Sequence, residues 1–167
     1  RESPAARALA TISSAIASDL GGRTFDVGWI HGDLWPANVL VTADGGPISG
    51  IVDWDSAERD ELGLHDRLHL AVTTRRLVER KDAGAVIAGL LSNGSWTADD
   101  RLVLDLPAEN GGGLGDARGE GLSGLPARTA LLLYWLRFVE SNLARRPALA
   151  TDRAWLTANV RQVLACA

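Results

Sequence analysis

Three oxygen-bearing side chains stand at spacings that suit phosphoryl transfer. In the run Trp29-Ile30-His31-Gly32-Asp33-Leu34-Trp35-Pro36-Ala37-Asn38-Val39-Leu40, Asn38 follows Asp33 by five positions, and a second carboxylate, Asp53, closes the run Gly50-Ile51-Val52. Moving a phosphoryl group from a nucleotide to an alcohol needs a carboxylate that orients and deprotonates the hydroxyl. It also needs hard oxygen ligands for the Mg²⁺ that bridges the phosphates. Asp33 suits the first task, and Asn38 and Asp53 suit the second. With His31 two positions before Asp33, the pattern His-x-Asp-x-x-x-x-Asn followed by an Asp on the next hairpin has the spacing of a kinase catalytic loop and its metal-binding segment. The bland alternative is a β-hairpin whose polar loop holds two Asp and one Asn without chemistry.

The flanking residues are of the kind that would hold such a loop in place. Val27 to Ile30 and Val39 to Val41 read as strands on either side of it, and Ile48 to Val52 as a third. Asp44-Gly45-Gly46-Pro47 is hairpin-turn chemistry between the last two. Asp33, Asn38 and Asp53 are thereby expected at one end of a small sheet. Residues 55–61 lose periodicity and read as an acidic loop near the metal, from which Asp55 could reach the ion. Helical spacing is expected over 4–19 (Leu9, Ile12, Ile16 and Leu20, with Ser3 and Pro4 starting it), 64–80 (Leu68, Val72, Leu77), 82–92, 127–143 and 152–164. Asn93-Gly94 closes the third of these segments, and Thr97 is an N-cap for a further one. The stretch 107–126 is glycine-rich and is expected to be a flexible loop, with a lid over the substrate as its functional reading. The chain therefore predicts one mainly helical α+β domain over 1–167.

His31-Gly32-Asp33-Leu34, Asn38-Val39-Leu40 and Ile51-Val52-Asp53-Trp54-Asp55 together resemble the aminoglycoside phosphotransferase and choline kinase-like family, small-molecule relatives of the protein kinases. Gly32 stands where a protein kinase has Arg, and Trp54-Asp55 where it has Phe-Gly; both departures favour the small-molecule branch. The resemblance implies a protein-kinase-like carboxy-terminal lobe in which a small β-hairpin sheet carries the catalytic loop. It implies Asp33 as base, Asn38 and Asp53 as Mg²⁺ ligands that hold the nucleotide, and His31 and Asp66 as supports of the loop, Asp66 bonding it from the start of the next helix. His65 and His69 are then structural. The cofactors implied are ATP, or another nucleoside triphosphate, and Mg²⁺. The acceptor would be a hydroxyl on a sugar, an aminoglycoside-like aminocyclitol or an amino alcohol, and Trp35, two positions after Asp33, could stack on its ring. No lysine precedes the loop, so the amino-terminal lobe that grips the nucleotide is expected in a longer parent chain, and the 167 residues alone are expected to be inactive.

Two other classes stay open on the residues alone. A non-catalytic kinase-like module would keep the fold as a binding surface. A metal-dependent phosphohydrolase would use His31, His65, Asp66 and Asp53, since His65 and His69 lie four apart on one helix face. The net charge of -4 argues against nucleic acid as a partner and mildly suits a cationic substrate. No apolar run is long enough for a membrane span. The single cysteine, Cys166, has no partner for an internal disulfide, which fits a cytoplasmic location.

Overall fold

The computed structural model describes residues 3–106 and 124–166. The expected glycine-rich loop falls outside them, apart from Gly124 to Pro126. Ser3 accepts the Ala6 N–H at 3.2 Å and Pro4 fills the first turn, which starts α1 (Pro4–Leu20). The chain continues through β1 (Gly28–Ile30), a 3-10 turn (Pro36–Asn38), β2 (Val39–Val41), β3 (Ile48–Ile51), a second 3-10 turn (Trp54–Ser56) and β4 (Glu58–Glu61). Helices follow: α2 (Leu64–Glu79), α3 (Ala83–Asn93), α4 (Ala98–Leu104), α5 (Ala127–Arg145), α6 (Arg153–Leu156) and α7 (Gln162–Leu164). The molecule is mainly helical with a small β part, as its periodicities predict.

The β part differs from the single sheet expected. Two separate antiparallel pairs form, β2 with β3 through the turn at 44–47, and β1 with β4. Residues 58–61, read from sequence as part of an acidic loop beside the metal, are instead a strand. Local propensity disfavours Glu58-Arg59-Asp60-Glu61 as a strand, but Arg137 on α5 pairs with Glu58 at 2.9 Å and with Glu61 at 2.7 Å. Two of the acidic side chains are thus spent on fastening β4 to the helical core.

The core is helical. Ile12 and Ile16 of α1, Leu68 and Val72 of α2, Ile87 and Leu90 of α3, and Leu131 and Trp135 of α5 are all buried. Leu77, expected among them, is exposed instead. Thr97 caps α4 through a reciprocal capping box with Asp100, at 3.1 and 2.8 Å. The last helical segment, expected to be regular, carries a π-helical stretch at Thr157–Arg161 between α6 and α7. It aims buried Asn159 at its neighbours: the Trp135 indole N–H donates to the Asn159 carbonyl at 2.8 Å, and the Gly84 N–H donates to Asn159 Oδ1 at 3.2 Å. Among the described residues no helix is long and apolar enough to cross a membrane.

The close approach at Gly84 makes a test. A Cβ there would stand 2.2 Å from the Ala158 carbonyl oxygen and 2.4 Å from Asn159 Cα, whereas a Cβ at Gly89 on the same helix would meet nothing within 4 Å. Gly84→Ala is expected to lower the unfolding free energy by about 1–3 kcal/mol through overpacking. Gly89→Ala is expected to raise it by up to about 1 kcal/mol through helix propensity. Urea midpoints of the two variants check this, and equal shifts would contradict it.

Candidate active site

The loop after β1 is held by hydrogen bonds to its backbone. Asp66, in the first turn of α2, accepts the N–H of His31 at 2.6 Å and that of Gly32 at 2.9 Å, one on each carboxylate oxygen. The His31 ring is buried and shares two backbone partners: Nε2 lies 2.8 Å from the Val52 carbonyl, and the Asp33 N–H points at Nδ1 from 3.3 Å. A carbonyl only accepts, so the proton sits on Nε2 and Nδ1 offers its lone pair. The Trp54 ring covers the imidazole at 4.7 Å between centroids. His31 therefore joins the loop after β1 to the end of β3, and Asp66 joins that loop to α2.

Gly32 shows why this loop cannot carry the arginine of a protein kinase. Its φ is +79°, and a Cβ on it would lie 2.1 Å from the Ser56 carbonyl oxygen. Any side chain would push the Trp54–Ser56 turn away from the loop.

Asp33 follows with its side chain partly exposed. His69, on α2, reaches it with Nε2 at 3.1 Å from Oδ1, and the other ring nitrogen of His69 lies 3.1 Å from the Tyr134 hydroxyl on α5. The hydrogen bond from His69 holds the Asp33 carboxyl below the usual carboxylate range; burial opposes the shift, and the charges of His69 and Arg145 reinforce it. Asp33 is thus an anion at neutral pH. Tyr134 is fully buried, which pushes its hydroxyl up and keeps it protonated. Sequence reading took His69 as a packing residue. Its contact with Asp33 shows more than packing, and the hint in the sequence was its place three residues after Asp66, on the same face of α2.

Asn38 and Asp53 sit beside this loop. The buried Asn38 amide donates from Nδ2 to the Asp33 carbonyl at 3.0 Å, and the Val52 N–H donates to the Asn38 carbonyl at 3.0 Å, which puts Asp53 next in line. Asp53 adopts φ 68° and ψ 58°, a left-handed conformation that Asp tolerates better than most residues. Its carboxylate is exposed and makes no cap to the turn that it begins. Asn38 Oδ1 and the Asp53 carboxylate are the hard oxygens left for a cation. That donor set fits Mg²⁺, which takes one or two protein oxygens and draws the rest from phosphates and water. Asp55 is exposed and accepts the Ser56 hydroxyl at 3.3 Å.

The residues of the hydrolase alternative do not converge. Among the described residues, no group of three or more His, Cys, Asp or Glu is placed to hold a metal. Asp66 spends both oxygens on backbone N–H groups, and both His31 nitrogens have backbone partners.

Asp33 opens on a cavity of about 630 Å³ between α2 and α5. Trp35 lines it, together with His69, Thr73 and Arg76 of α2, Phe138, Asn142 and Arg145 of α5, and Arg146 just after α5. His65, also on its wall, packs its ring 5.4 Å from that of Tyr134. Burial drives the His65 pKa down to about 3, helped by the charges of Arg137 and His69 and opposed by a hydrogen bond to the Gly32 backbone.

That depression has a consequence for stability. The folded protein keeps His65 neutral, while the unfolded chain takes up a proton near pH 6.5, so the unfolded state gains as pH falls from about 6.5 toward 3. This one residue is expected to cost about 2 kcal/mol of stability between pH 7 and pH 5. His65→Phe should remove that part of the acid sensitivity. Urea unfolding of both proteins at the two pH values reads it, and an unchanged pH difference in the variant would refute it.

Residues 2–63 match the model of the APH family, described as "Phosphotransferase enzyme family". No match was found among curated proteins or among solved structures. The matched span contains Asp33, Asn38 and Asp53 but ends before α2. Over that span, a little over a third of the chain, the sequence is similar to this phosphotransferase family.

Proposed function

We propose that this chain is the protein-kinase-like carboxy-terminal lobe of an ATP-dependent enzyme that phosphorylates a hydroxyl of a small molecule. The observation that carries the reading is Asp33, kept ionised by His69 and set at the wall of a 630 Å³ cavity by a loop that Asp66 and His31 fasten. ATP and Mg²⁺, when bound, supply the phosphoryl group and neutralise the charge that develops on it. Asn38 and Asp53 would hold the metal. Asp33 orients the acceptor hydroxyl and accepts its proton at Oδ1 or Oδ2. His69 fixes the carboxylate, and Tyr134 fixes His69. Trp35 is placed to pack against the acceptor.

The lobe that grips the nucleotide would cover exposed apolar residues of the two β pairs. Trp29, at 68% exposure, and Ile48, at 64%, are exposed there, as is Val41. Residues 1–167 alone are accordingly expected to turn over no acceptor.

The roles separate in the full-length protein. Asp33→Asn is expected to lower kcat by roughly a hundredfold to ten-thousandfold with little change in nucleotide affinity, since base catalysis acts in the transition state. Asp53→Ala is expected to weaken Mg²⁺-nucleotide binding itself. His69→Leu is expected to lower kcat by about tenfold or more and to shift the acid limb of the pH–rate profile upward, because Asp33 loses the donor that holds its pKa down. Steady-state kinetics with nucleotide titrations check all three. Full activity in Asp33→Asn, or no transfer to any alcohol, would overturn the proposal.

A further inference from the structure

The cavity beside Asp33 differs in charge from the molecule that contains it. The chain carries 21 acidic and 17 basic residues. The cavity wall nevertheless offers three arginines, Arg76, Arg145 and Arg146, and a single carboxylate, Asp33. They come from two sides. On α2 the lining positions 65, 69, 73, 76 and 77 follow the helical repeat, and on α5 the positions 138, 141, 142 and 145 do the same, with Arg146 directly after the helix. Each helix thus turns one stripe to the cavity, with Arg76 near the end of the first and Arg145 and Arg146 at the end of the second.

Two arginines that also lie on α2 and α5 are paired with carboxylates. Arg75 meets Asp100 at 3.0 Å, and Arg137 meets Glu58 and Glu61. Among the described residues, none of the three cavity arginines forms an ion pair within salt-bridge distance of a carboxylate. Arg145 donates to the Ser56 hydroxyl at 2.7 Å, and Arg146 to the side-chain oxygen of Asn142. Helix dipoles favour cations in the last turns of α2 and α5 wherever those side chains point. They do not account for all three lining the cavity that holds Asp33. A guanidinium fork matches the planar or tetrahedral oxygens of a carboxylate or phosphate, and such charge-assisted bonds are the strong ones.

We infer that the acceptor carries an anionic oxygen group, a carboxylate or a phosphate, in addition to the hydroxyl that is phosphorylated; this rests on the phosphotransferase reading. Arg76 on α2 and Arg146 just past the end of α5 grip that group between them. Arg145, tied to Ser56, adds its charge nearer Asp33. A polycationic aminoglycoside would place like charges against these side chains, so the cavity selects against it. The acceptor class is a hydroxy acid or the phosphate of a hydroxylated compound, with sugar or amino alcohol frameworks both admissible.

The test uses the full-length protein with matched acceptors: glycerate against glycerol, glucose 6-phosphate against glucose, and ethanolamine and an aminoglycoside as cationic comparators. The anionic member of at least one pair is expected to be favoured tenfold or more in kcat/KM, and the pair that responds tells carboxylate from phosphate. Arg76→Gln and Arg146→Gln should each raise KM for that acceptor by about tenfold to a hundredfold, with kcat changed less and KM for ATP within twofold. Equal use of neutral or cationic acceptors, or variants that raise KM for ATP instead, would overturn the inference while leaving the kinase reading in place. If no alcohol is phosphorylated, the kinase reading fails and calorimetry decides the anion site alone. Salt-sensitive binding of glycerate or glucose 6-phosphate that is lost in the double variant sustains the site, and no binding refutes it.

Discussion

The rest of the site depends on one carboxylate that binds backbone. Asp66 accepts two successive N–H groups, of His31 and Gly32, and so fixes the direction in which the chain leaves β1. Bonds of this kind, from an ionised acceptor to backbone donors, are stronger than neutral ones and leave little freedom in the peptide planes. Once those planes are set, the His31 ring reaches the Val52 carbonyl, and the Asp33 N–H meets the ring's other nitrogen. Three segments far apart in sequence are then tied at one point: the loop after β1, the end of β3 and the start of α2. The two β pairs share no ladder, so this polar knot, more than a continuous sheet, holds their loops in register.

Much of this was legible in the sequence because its determinants are local. Ser3 and Pro4 start a helix, Thr97 and Asp100 close a capping box, and Asp44-Gly45-Gly46-Pro47 turns a hairpin, each by contacts within a few residues. The spacing of Asp33, Asn38 and Asp53 works the same way, since a short loop and a hairpin fix where they emerge. What the sequence hid was long-range. Glu58 to Glu61 becomes a strand because Arg137, more than seventy positions on, neutralises two of its charges. The π-helical stretch answers to Trp135 and Gly84, which lie on other helices. Leu77 looked like core by period, but α2 turns that position toward the cavity.

Net charge and local charge point in different directions here. A net charge of -4 suits a cationic partner, yet the cavity wall is basic. Net charge sums a whole surface, whereas a ligand meets only the stripe it faces. In this protein several acidic side chains are engaged elsewhere, with Glu58 and Glu61 on Arg137 and Asp100 on Arg75. Their removal from the balance is what leaves the arginines of α2 and α5 to set the local field.

The same geometry bears on how Asp33 would act. A hydrogen bond from His69 lowers the pKa of the carboxyl, which makes it a weaker base than a free aspartate. For a reaction whose rate rested on early deprotonation this would be a handicap. Phosphoryl transfer passes through a loose transition state in which the nucleophile has bonded little, so its proton has little reason to leave early. Position then matters more than basicity, and a carboxylate that is always ionised and held in one orientation does the useful part of the work. The chain Tyr134–His69–Asp33 provides that orientation from the buried face of α5, through α2, to the cavity. Tyr134 is fixed by the core, His69 by Tyr134 and Asp33 by His69, so the rigidity of the helical packing is passed to the one oxygen that must meet the hydroxyl.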